Sequence, residues 1–251
     1  MTSTLLCWIA SILVGISKAG FGAGVGILAV PLMTIAISPT RMLGVLLPLL
    51  ITGDIFSLLH YPKTQNFRNL SMLIPGCLLG IGIGSLLLKR SELLTEGERT
   101  LRVFIGVICV VIVLIQLYVQ LKVRRKVNPV AYRPRMWHGV TVGIIAGVTS
   151  TLAHAAGPII LLFLLPQKLE KRVFMGTALV YFFVGNSAKL IPYIAGNIIT
   201  RKTILESVYL IPWVIGGTLL GAWLNKKISG KIFSYIVYGI TLLTGIGLLM
   251  K

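Results

Sequence analysis

The chain has 251 residues, 56% of them hydrophobic and only 12% charged, with a mean hydropathy of +0.93. That is more apolar side chain than one globular core can hide, and runs such as Phe104–Leu117 lack the polar face of a soluble amphipathic helix. A soluble enzyme is therefore excluded in favour of an integral membrane protein. The formal net charge of +18 comes from basic residues spread through short connectors, with no long basic arm or DNA-binding motif, so the partner it implies is the lipid bilayer and no nucleic acid.

In chain order, the first apolar block spans 4–16. No Lys or Arg precedes it and no small-residue cleavage site follows, so it is expected to be retained rather than removed as a signal peptide. Next comes "SKAGFGAGVG", Ser17 to Gly26, which puts four glycines and Lys18 where a membrane helix should continue. Blocks at 21–37, 42–61, 70–88 and 101–121 complete a first half, and the third of the five holds Asp54 with Thr52 and Ser57. A basic, proline-bearing linker, "KVRRKVNPVAYRPR" at Lys122–Arg135, divides the chain almost evenly. Five more blocks follow at 137–152, 155–166, 172–195, 204–224 and 231–250, with a second glycine-containing break in "GVTSTLAHAAGPI", Gly147 to Ile159. The expected organisation is a first membrane repeat over 1–121, a linker over 122–136 and a second repeat over 137–251. Cys7, Cys77 and Cys109 stand singly in apolar segments, which implies no disulfide, no metal and no cofactor.

The halves resemble each other in register. At an offset of 132, Gly44 falls on Gly176, Gly53-Asp54 on Gly185-Asn186 and Tyr61 on Tyr193; at 137, Pro75 falls on Pro212, Gly80 on Gly217 and Gly84 on Gly221. Whether the repeats run parallel or inverted is decided by the basic residues. An odd number of crossings per half puts 14 Lys and Arg on one side and 8 on the other, whereas an even number leaves 11 on each. Only the first gives the positive-inside rule a bias, so the expectation is inverted repeats, with the linker cytoplasmic and both termini outside the cell inner membrane. Blocks 4–16 and 155–166 are shorter than the roughly 20 residues of a full crossing. The expected fold is all-α, each half being a short broken or re-entrant helical hairpin followed by three transmembrane helices. Non-helical backbone at that depth survives only against protein or a water-filled cavity.

The two breaks are the expected binding site. Glycine there lets the backbone turn and present amide N–H groups, and a half-helix starting at the break aims its positive end at the gap. Ser17, Lys18, Gly20, Gly22 and Gly24 from the first break, and Thr149, Ser150, Thr151, His154 and Gly157 from the second, would together hold a small anion. A lysine deep in an apolar segment is costly unless it pairs, faces water or snorkels to the surface. Asp54 is expected to pair with Lys18 or carry a proton, its repeat mate Asn186 and nearby Lys189 to line the same cavity, and His154 to donate to the anion, titrate or sit as a core histidine. His60, His138 and the tryptophans Trp8, Trp137, Trp213 and Trp223 read as interfacial or packing residues.

Three stretches carry a family resemblance: "GFGAGVGILAVPLM" (Gly20–Met33), "AHAAGPIILLFLL" (Ala153–Leu165) and "FFVGNSAKLIPY" (Phe182–Tyr193). They resemble the sulfite exporter TauE/SafE family, also called the toluene-sulfonate uptake permease family, and the likeness extends over nearly the whole chain. In the first stretch alanine and valine interrupt glycines that the family carries side by side. The resemblance implies a membrane carrier for sulfite, sulfonates or related sulfur-containing anions, usually an exporter; sulfur enters from the family alone. The residues themselves leave a secondary transporter, acting as a monomer or homodimer, beside a channel-like permease using the same tips as a filter. A membrane-embedded enzyme is disfavoured, since no Ser-His-Asp set, HExxH, P-loop or metal cluster is present.

Overall fold

The computed structural model describes residues 2–21, 29–90, 98–124, 133–227, 239, 241–243 and 246–250. Among them are no strands, and the helices are α1 (Thr2–Ile16), α2 (Ala29–Ala36), α3 (Pro39–Leu58), α4 (Phe67–Arg90), α5 (Glu98–Arg124), α6 (Met136–Ala153), α7 (Ala156–Leu164), α8 (Lys171–Ala195) and α9 (Arg201–Lys227). The chain is an all-α, multi-pass membrane protein: α3, α4, α6, α8 and α9 are each long and apolar enough to cross a bilayer. At 8 and 9 residues, α2 and α7 rise only about 12–14 Å, less than half the hydrocarbon thickness.

The predicted blocks match these helices to within a few residues where both are described; residues 22–28 of the second block and most of the last, 231–250, lie outside the described residues. The second break falls where the blocks 137–152 and 155–166 leave it, between α6 and α7, and its position has a local reason. In the second half the polar run Thr149–Thr151 does not interrupt the helix, because Thr149 Oγ1 donates to the Ile145 carbonyl at 2.9 Å and Thr151 Oγ1 to Gly147 at 2.9 Å. Hydroxyls folded back onto the preceding turn leave the main-chain ladder intact. Helix α6 therefore reaches 18 residues and ends at His154, whose φ of 49° puts a side-chain-bearing residue in the left-handed region usually given to glycine. In the first half α1 runs on into a π-helical turn, Ser17–Phe21, and the rest of that break, with Gly22 and Gly24, lies outside the described residues.

Helices from opposite halves exchange partners. The most extensive pairings are α4 with α6 and α1 with α9, followed by α3 with α9 and α4 with α8. Glycine makes the close approaches: a Cβ on Gly217 would overlap the Ile12 carbonyl oxygen and one on Gly80 that of Ile144, while Gly221 lies on Ile16 and Gly84 on Thr151. The repeat-related glycines Gly80 and Gly217 thus do the same work in two interfaces. Trp8 stacks on Trp213 at 5.0 Å between centroids, completing the α1–α9 seam. Between α3 and α8 the pattern is reciprocal: Gly44 abuts the Ile198 carbonyl just beyond α8, and Gly176 abuts Thr64 just beyond α3, so these two helices run antiparallel. One apolar core centres on α1, α2, α3 and α9, the other on α4, α6, α7 and α8. Gly217→Ala is expected to destabilise the protein by about 1–3 kcal/mol, because only main chain faces the added methyl. Thermal unfolding in detergent would detect this, with Gly216→Ala, which meets nothing within 4 Å, as the silent control.

Candidate functional site

Of the 24 basic residues, only Lys18 and Lys189 stand outside the connectors, and both are buried. They have opposite surroundings. Lys18 leaves the π-helical turn beside α3, donates to Asp54 Oδ1 at 2.5 Å and lies 4.7 Å from the centre of the Phe182 ring. The other carboxylate oxygen of Asp54 accepts from Asn186 Nδ2 at 2.7 Å. A buried carboxylate so used, one oxygen to a cation and one to an amide, is locally neutral and satisfied. The Asp54–Asn186 bond joins the two halves at positions the repeat register had already aligned.

Lys189 finds no acid. Its ammonium donates to Ser150 Oγ at 2.9 Å, the Ser150 carbonyl at 3.3 Å and His154 Nδ1 at 2.9 Å, and among the described residues no carboxylate lies within ion-pairing distance. The histidine tautomer follows from its other contact. Nε2 is 3.2 Å from the Leu43 carbonyl oxygen, so Nε2 bears the proton and Nδ1 offers the lone pair that Lys189 uses. His154 is thereby neutral in this arrangement, and a protonated Lys189 gives the cluster of Lys189, Ser150 and His154 a positive charge with no carboxylate beside it. Burying an ammonium with only neutral partners costs several kcal/mol. The left-handed His154 backbone adds strain of about 1 kcal/mol, concentrated at the same point.

The predicted site residues divide accordingly. Lys18, Asp54 and Asn186 form one hydrogen-bonded chain, and Ser150, His154 and Lys189 form another; Asn186 and Lys189 are one turn apart on α8, so both chains meet that helix on one face. Thr151 is buried, with its hydroxyl on its own helix and its carbonyl accepting from Tyr193 OH at 2.6 Å. Thr149 is half-buried and bonds only to α6 carbonyls, so the structure does not bring its side chain into either cluster. Ser17 is buried, with its Oγ unpartnered among the described residues; Gly20 lies in the π-helical turn, and Gly157 is buried in the first turn of α7. Sequence reasoning did not single out Phe182, Tyr193 or the Leu43 carbonyl as site groups. The signal for the first two was present: Phe182, Asn186, Lys189 and Tyr193 are spaced 4, 3 and 4 apart, one face of one helix.

The break residues correspond as well. Lys18 and His154 are 136 positions apart, inside the register of the repeat; Lys18 sits in the π-helical turn that follows α1 and His154 caps the C-terminus of α6. The family description Sulfite exporter TauE/SafE matches residues 7–248 of the chain. The chain belongs to the TauE/SafE family. It is accordingly a membrane transporter, and the polar chains just described are buried within it. No curated protein and no solved structure matches the chain. Within this TauE/SafE protein, both halves put a basic or titratable residue at the end of their first helix, and both long central helices, α3 and α8, supply the polar residue facing it: Asp54 for Lys18, Lys189 for His154.

Proposed function

We propose that this chain is a secondary transporter that exports sulfite, a sulfonate or a related small sulfur-containing anion across the cell inner membrane by alternating access. Lys189 carries the reading: a buried cation whose partners are all neutral favours an anion beside it, whereas Lys18 is already neutralised by Asp54. The partners of Lys189 can yield to an oxyanion. Ser150 Oγ accepts from Lys189 and donates to nothing among the described residues, so its proton is available. Sulfur as the substrate's element is supported by family membership alone.

Exchange of partners between halves, with α3 antiparallel to α8, supports inverted repeats that rock about the Asp54–Asn186 contact. The basic linker then lies in the cytoplasm and both termini outside. Protonation of Asp54 would release Lys18, giving an ion pair that opens and closes with the transport cycle; this is the coupling we assign to it. Purified protein in liposomes, offered sulfite, thiosulfate, sulfonates and carboxylates with and without a pH gradient, tests the proposal. Saturable flux of a sulfur oxyanion that responds to the gradient is expected. Preference for carboxylates would overturn the substrate class, and fast flux that does not saturate would replace the carrier with a channel.

A further inference from the structure

At one end of the molecule a cavity of about 570 Å³ opens between the N-terminal ends of α1, α3 and α9 and the C-terminal end of α2, with Cys7, Arg41, Val45, Glu206 and Leu210 on its walls. Across it Arg41 donates to Glu206 through Nε at 2.8 Å and Nη2 at 2.5 Å. We propose that this cavity is the port on the side of the chain's N-terminus, and that the exported oxyanion is held there on its way out by Arg41 in place of Glu206. The inference rests on the anion-transport reading above and adds to it a second, outer binding position.

Four observations carry it. The guanidinium binds a carboxylate through two parallel N–H···O bonds, and sulfite or a sulfonate presents a pair of oxygens to the same fork. The pair is partly solvated, with side-chain exposures of 41% for Arg41 and 26% for Glu206, so one anion can replace another there without the penalty of opening a buried ion pair. Position is the third. Arg41 lies in the first turn of α3, the helix whose Leu43 carbonyl holds His154 and, through it, Lys189; the same helix reaches Asp54 thirteen residues later, about 20 Å at roughly 1.5 Å per residue. The fourth is an asymmetry. At an offset of 137 Glu206 falls on Asn69, and at 132 Arg41 falls on Val173; Asn69 donates to Gln167 Oε1 at 3.0 Å, so the positions matching this ion pair in the other half carry no charge. A simple tie between α3 and α9 does not need the charges, since Ser207 Oγ already donates to the Val45 carbonyl at 2.9 Å.

Cys7 gives a native reporter, because it lines this cavity while Cys77 and Cys109 are buried. The experiment follows modification of full-length protein in liposomes by a membrane-impermeant thiol reagent, with Cys7→Ser as the labelling control and methanesulfonate, which is inert to such reagents, as the anion. In the wild type methanesulfonate should slow Cys7 labelling several-fold, and Glu206→Gln should lower the concentration needed. Arg41→Gln should abolish the protection and raise the transport KM about tenfold, the scale of one charge-assisted hydrogen bond. The double variant Arg41→Gln/Glu206→Gln keeps a hydrogen-bonding pair between α3 and α9 without charge. A raised KM there supports the port, and a wild-type KM shows a structural tie and overturns it. If the wild type moves no anion, the transport reading and the port fall together; if it moves anion and Arg41→Gln leaves KM and Cys7 protection unchanged, the port alone falls.

Discussion

Lys189→Met should abolish anion transport and leave the folded protein at least as stable as the wild type. The two halves of that result have one cause. An ammonium held by Ser150 and His154 alone is costly to keep in an apolar interior, and a methionine of similar length removes the cost while filling the space. Ser150 and His154 lose only a donor to acceptors that are themselves neutral, a penalty of about 1–3 kcal/mol that the relieved desolvation offsets. Transport has no such compensation, since the proposed anion site loses its cation; a fall of at least about 100-fold in initial rate, roughly 3 kcal/mol, is expected. Initial rates in liposomes and unfolding temperature in detergent are the two readouts. Wild-type flux from Lys189→Met would remove Lys189 from the site, and a collapse in stability would mean that the ammonium is structural.

The Lys18–Asp54 pair should behave in the opposite way. Lys18→Met leaves the Asp54 carboxylate buried beside Asn186 alone, and Asp54→Asn leaves the Lys18 ammonium over the Phe182 ring with no counter-charge. Breaking a buried pair from one side costs about 3–5 kcal/mol, whereas replacing both members is often close to neutral. The double variant Lys18→Met/Asp54→Asn should therefore unfold at a higher temperature than either single variant, its new amide still accepting from Asn186. It should also lose the response of flux to a pH gradient, because no titrating group remains at that position. Losses that simply add in the double variant would show that the two side chains do not act as a pair.

Much of the fold was legible because membrane helices obey few rules. Apolar length placed α3, α4, α8 and α9 to within a few residues, and Gly80 and Gly217, matched across the halves by spacing, do pack in matching interfaces. The second break was legible from the gap between the blocks 137–152 and 155–166; the polar "VTSTLA" before it stays helical because the hydroxyls of Thr149 and Thr151 are absorbed by carbonyls one turn back. The residues of the site were legible as costly ones: a lysine, an aspartate or a histidine in an apolar run has to be used. Their pairing was only partly so. Asp54 with Lys18 was foreseen as one of two roles, but which lysine stays uncompensated depends on α8 presenting Lys189 to His154 rather than to Asp54, a matter of helix packing across a separation of 35 positions. Arg41 and Glu206, 165 positions apart, gave no sequence signal beyond lying in connectors or helix ends, where charge is ordinary.

The most direct test of the carrier is exchange. Liposomes holding the purified protein and loaded with unlabelled sulfite should take up labelled sulfite faster than empty ones, and uptake should saturate with concentration, because an alternating site that returns loaded cycles without its slow empty step. Uptake that rises linearly with concentration and ignores the internal anion would contradict an alternating-access carrier in this fold.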